Sequence, residues 1–111
     1  MKIGSEWTFV GSCGVDSGQL LFTDPCYIHE FKIDEFRQNE PSGDYSYNGC
    51  CHVTTGETPA GHVGVGYDGV AVATGFGDGN YPVYVKFDGG RVMAALVVFD
   101  GVEEDGEPSG I

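Results

Sequence analysis

The sequence predicts a mainly β fold: an antiparallel sheet arranged as a small sandwich or a partly open barrel, with one short helix. Three observations carry this. Glycine is the commonest residue, with 19 copies in 111 and no collagen-like period, which suits many turns joining short strands. Short apolar runs recur at nearly even spacing between clusters of Gly, Asn, Asp and Pro. Finally, Tyr81, Val83, Val85 and Phe87 alternate with Pro82, Tyr84 and Lys86, the period-2 pattern of a half-buried strand.

Taken in order, Glu6 to Cys13 holds Trp7, Phe9 and Val10 and reads as a first strand. Gly18 to Thr23 reads as a second, with Val15-Asp16-Ser17-Gly18 as the turn between them. Asp24-Pro25 stops it, because proline has no N–H to give to a ladder. Phe31 to Asn39 is the expected helix: Phe36 and Arg37 follow Ile33 at helical spacing, and Asp34-Glu35 suits a first turn. Residues 40–49, with Pro41, Gly43, Asn48 and Gly49, read as a loop. Strands are expected at Cys50–Thr55, His62–Tyr67, Val70–Thr74, Tyr81–Phe87 and Arg91–Phe99. Asp88-Gly89-Gly90 closes the last hairpin. The nearly continuous apolar run from Val92 to Phe99 is expected to be a central strand covered on both faces.

At this length the chain fits one domain, residues 1–101, followed by an acidic, flexible tail at 102–111. The amino terminus has no apolar run of signal-peptide type, and no stretch is long enough to span a bilayer. The four cysteines (Cys13, Cys26, Cys50 and Cys51) are therefore expected as reduced thiols in a cytoplasm. Formal net charge is −12, from 17 acidic and 5 basic residues, so a surface that reads DNA, RNA or anionic lipid is disfavoured. A cationic partner, a bound metal ion, plain solubility or nucleic-acid mimicry remain.

The chemistry-bearing residues cluster in turns. Asp16, Asp24 and Asp78 would form a hard-cation site if they converged, though none has calcium-loop spacing; otherwise each caps its own turn. Gly75-Phe76-Gly77-Asp78-Gly79 has the glycines of a phosphate loop, but a strand follows it and no Lys-Ser or Lys-Thr pair is present. A backbone nest for an anion remains open there. Cys50-Cys51-His52 with His62 offers zinc-type ligands, yet adjacent cysteines on a strand point to opposite faces, one buried and one exposed. Nothing orients a Cys-His pair or supplies an oxyanion hole, so catalysis ranks low and no cofactor is expected. Tyr45, Tyr47, Phe76 and Tyr81 lie in or beside loops, where they would stack on a flat ligand or anchor a partner.

Val15-Asp16-Ser17-Gly18 through Asp24-Pro25-Cys26-Tyr27, followed by Thr74-Gly75-Phe76-Gly77-Asp78-Gly79-Asn80-Tyr81-Pro82, resembles a family of short proteins of unknown function found in bacteria and bacteriophages. The resemblance implies a small β-rich domain and a phage or phage-like source. It brings no reaction and no catalytic residues to carry over.

Three functions follow as expectations. The first is a non-catalytic binding protein, a phage counter-defence factor by analogy, that sequesters a nucleotide-like host signal. Phe76 or Tyr81 would stack on the base, and Gly77, Asp78 and Gly79 with Asp24, Tyr27, Arg37 and Arg91 would complete the site. The second is an acidic inhibitor of a basic host protein. The third is a metal-dependent hydrolase using Asp16, Asp24 and Asp78. Partners are thus a small molecule or a host protein, with neither nucleic acid nor membrane, and self-association is left open.

Overall fold

A computed structural model describes residues 1–66 and 68–103. Among the described residues the elements in chain order are β1 (Trp7–Val15), β2 (Gln19–Thr23), α1 (Tyr47–Thr54), β3 (Ala60–Val63), β4 (Gly69–Ala73), β5 (Gly79–Asp88) and β6 (Arg91–Val97), with a 3-10 turn at Ile28–Glu30. The mainly β expectation holds, as two antiparallel three-stranded sheets and one α-helix. The chain divides into two compact units, Met1–Asp16 with Gly75–Ile111, and Ser17–Thr74.

In the first unit the strand order is β1-β5-β6. The alternation along Tyr81–Phe87 works as expected near the strand's start, where Tyr81 and Val85 are buried; further along, Phe87 is exposed. Pro82 sits in this central strand opposite Ser12 of β1, and its carbonyl accepts from Val98 N–H at 3.1 Å, one residue beyond the end of β6. β6 overturns its expectation. Among the described residues it pairs only with β5, as an edge strand, and Arg91 to Ala95 are all exposed. A continuous apolar run does not distinguish a covered strand from an edge. Glu103 N–H donates to Met1 O at 2.9 Å and Glu103 bridges Lys2, while the rest of the expected acidic tail, 104–111, lies outside the described residues.

In the second unit the order is β2-β4-β3, with β4 shared. β1 and β2 therefore belong to different sheets, and Val15-Asp16-Ser17-Gly18 links sheets rather than closing a hairpin. Helix α1 packs on the second sheet, and Tyr45, Cys50, Val63 and Ala71 form a core flanked by Leu21, Tyr27, Phe31 and Val53.

The helix is not where the sequence places it. Residues 31–39 are extended or turn-like, and the helix occupies positions read as loop and strand. The reason is hydrogen bonding from outside the segment. Lys32 N–H donates to Tyr45 O and its carbonyl accepts from Tyr47 N–H, which holds the chain extended. Arg37 N–H is taken by Asn48 Oδ1 at 2.7 Å. At α1, Ser46 is the N-cap and its hydroxyl accepts from Gly49 N–H at 2.9 Å. Asp34 Oδ1 accepts from Asn48 N–H at 2.8 Å, so a carboxylate from the expected helix caps the real one. Gly49 is required here by space: a Cβ would sit 2.0 Å from the Asp44 carbonyl oxygen. The strand expected at Cys50–Thr55 is thus helical, and Cys50 and Cys51, expected on opposite faces, are both buried.

Candidate functional site

In the second unit a groove of about 540 Å³ lies between Gly43, Asp44 and Tyr45 on one side and Gly64, Val65 and Asp68 on the other. A backbone bond from Gly64 N–H to Gly43 O, 2.6 Å, ties the two walls together. A hydroxyl chain joins two of the groove's lining residues, Tyr45 and Asp68, through Thr23. The Thr23 hydroxyl donates to Asp68 O at 2.7 Å, so its lone pair is left to accept from Tyr45 OH at 2.5 Å. Tyr45 is thereby buried, 7% exposed, with its ring edge-on to Phe31 at 5.1 Å; it is a core residue rather than a loop aromatic presented to a ligand. Asp68 also accepts from Val65 N–H at 2.9 Å through Oδ2. Glu30, Asp44 and Asp68 line the groove against one ammonium, Lys32. Such a lining favours a cationic group, since among the described residues it carries three acidic side chains and one basic one.

A second cavity, about 190 Å³, lies between β2 and α1 and is lined by Leu20, Leu21, Phe31, Gln19, Tyr47 and Cys50. Burial pushes the Cys50 thiol up to about 11, with the neighbouring Cys51 and Asp34 adding to it. Tyr47 is raised above its ordinary value, first by its hydrogen bond with Cys51 and then by charge. Both groups are therefore neutral at physiological pH. Gln19 Nε2 donates to Cys51 Sγ at 3.5 Å, and the Thr54 hydroxyl donates to Gln19 Oε1 at 3.0 Å.

The residues singled out in the sequence divide between the units. Asp24, Tyr27 and Arg37 lie in the second; Asp16, Phe76, Gly77, Asp78, Gly79, Tyr81 and Arg91 lie in the first. Asp24 Oδ1 accepts from Cys26 N–H at 2.8 Å, closing its own turn. Tyr27 packs on the core. Arg37 is held by Asp34 at 3.3 Å and by Glu40, and it donates to Glu35 O. Both the Arg37 guanidinium and the Asp34 carboxyl shift towards their charged forms. For Asp34 the chief cause is the Asn48 N–H; for Arg37 it is Glu40.

In the first unit, Phe76 is 64% exposed between Gly75 and Gly77, both at positive φ near 77°. Tyr81 is buried, its ring edge-on to Phe99 at 5.2 Å and its hydroxyl donating to Gly77 O at 2.7 Å. It buttresses the glycine loop instead of stacking on a ligand. Asp78 is exposed, Gly79 opens β5 opposite Val15, and Arg91 begins β6 opposite Asp88. Asp16 is exposed. Among the described residues no group of three or more His, Cys, Asp or Glu is placed to hold a metal ion. All four cysteines are free thiols.

Sequence reasoning missed the groove. Glu30 comes from the 3-10 turn and Asp44 and Asp68 from two separate loops, and the only signal of them in the sequence is the overall charge. The cavity beside Cys50 had no signal, because its lining depends on α1, which the sequence misplaces.

Residues 8–98 match the family model described as a protein of unknown function (DUF4241). No curated protein and no solved structure matches the chain. Among the described residues, no helix is long and apolar enough to cross a membrane.

Proposed function

The chain belongs to the DUF4241 family, whose description assigns no activity, and we propose that it is a non-catalytic binding protein that engages a basic protein partner through its acidic groove. One observation carries this reading: a concavity of about 540 Å³ whose charged lining, among the described residues, is Glu30, Asp44 and Asp68 against Lys32, in a chain of net charge −12. The groove admits a lysine or arginine side chain, and the surrounding negative field accelerates encounter with a basic surface.

The test is capture of a basic partner on the immobilised full chain, repeated across salt concentrations and with Glu30→Gln/Asp44→Asn. A charge-matched control, Glu35→Gln/Glu57→Gln, separates the groove from the general field. Binding should weaken steeply with salt and should fall more for the groove variant than for the control. Equal losses in the two variants, or partners indifferent to salt, would overturn the assignment to the groove.

A second reading, capture of a nucleotide-like signal in a counter-defence role, draws on the resemblance to bacterial and phage proteins and on the exposed Phe76 ring between Gly75 and Gly77. Tyr81 and Arg37 lend it no support, because both are committed to internal contacts. Thermal-shift measurement against cyclic dinucleotides, with Phe76→Ala as the control, decides it: a shift that Phe76→Ala abolishes supports this reading, and its absence removes it.

A further inference from the structure

We propose that the cavity between β2 and α1 is a binding site for a neutral, one- or two-ring aromatic molecule. This goes beyond the acidic groove and rests on different residues. Size argues first. At about 190 Å³ the space exceeds the roughly 150 Å³ that admits benzene, yet falls short of the ~300 Å³ at which drug-sized sites begin, so a nucleotide does not fit.

Charge argues second. No residue of the lining is charged, and its two titratable members, Cys50 and Tyr47, are both shifted towards their neutral forms. An anion would find no cation in the lining, and a cation would find no carboxylate. The walls argue third. Leu20, Leu21 and the Phe31 ring are each only half-buried and face this space, so an apolar guest removes from water surface that the fold leaves wet. Phe31 meets Tyr45 in a T-shaped contact and also lines this cavity, so an aromatic guest finds a ring partner there.

The polar atoms at the rim are largely occupied. Gln19 spends its amide on Cys51 and Thr54, and Tyr47 is bonded to Cys51. The site therefore selects by shape and apolarity, with the Ser17 hydroxyl at the rim as its polar handle.

Indole is the probe. Titrated into the isotopically labelled full chain, it is expected to shift amide resonances at residues 17–21, 31, 47 and 50, saturating in the millimolar range or below. It should also slow labelling of Cys50 by a disulfide reagent at mildly alkaline pH at least threefold, while leaving the exposed Cys26 unchanged. Leu20→Trp, which fills the space from a half-exposed position, should abolish the shifts. The wild-type Cys50 protection reads the same site should that variant fail to fold. Absence of saturable shifts, shifts centred elsewhere, or equal protection of Cys26 and Cys50 would overturn the proposal. None of these outcomes bears on the acidic groove, whose test reads salt and carboxylates.

Discussion

Asn48→Ala is the most informative single perturbation, because that side chain joins the extended 31–40 segment to the start of α1. Asn48 is 1% exposed. Its Oδ1 accepts from Arg37 N–H at 2.7 Å and its Nδ2 donates to Glu40 O at 3.1 Å. Each bond contributes about 1 kcal/mol net, and stranding the part-buried Arg37 N–H adds about another 1 kcal/mol. The expected loss is about 3 kcal/mol, a large share of the ~5–15 kcal/mol typical of a domain. At this size it corresponds to a fall in Tm of about 10–15 °C. Urea unfolding followed by far-UV circular dichroism measures it. Ser46→Ala, which removes the single N-cap bond, should cost only about 1 kcal/mol. Asn48→Asp keeps the acceptor but loses the donor and sets a second carboxylate beside Asp34, so it should be no better than alanine. A loss below about 0.5 kcal/mol for Asn48→Ala would refute the claim that this network holds the segment extended.

Two further outcomes follow from the same geometry. The Cys50 thiol is pushed up to about 11 from an ordinary value of 9.0, so between those pH values the folded protein keeps a proton that the unfolded chain releases. Stability is therefore full below pH 9 and lost as pH rises towards 11, on the order of 2–3 kcal/mol, and Cys50→Ser should reduce that slope in pH-dependent urea melts. Tyr81→Phe removes the 2.7 Å bond to Gly77 O and should cost about 1 kcal/mol while speeding amide exchange in residues 75–79. Unchanged exchange there would show that the buttress does not hold the loop.

Strand content was legible in the sequence wherever alternation met a strong turn, as in Tyr81–Phe87 closed by Asp88-Gly89-Gly90. Both signals act over a few residues and need no partner elsewhere in the chain. The Asp24-Pro25 turn was legible for the same reason: the Asp24 carboxylate reaches the Cys26 N–H only two residues away. The sequence also set the charge, −12, from which a cationic partner is inferred.

Tertiary structure decided what local preference could not. Phe31–Asn39 has the spacing of a helix and does not form one, because its N–H and carbonyl groups are claimed by Tyr45, Tyr47 and Asn48. Tyr47–Thr54 has glycine, asparagine and β-branched residues and is helical, because Ser46 and Asp34 cap it and the core buries Cys50 and Cys51. Edge or centre, for β6, depends on which strands are neighbours, and an apolar run carries no record of that. The groove and the cavity belong to the same category: each is made by side chains from segments far apart in sequence, and only folding gives them a common wall.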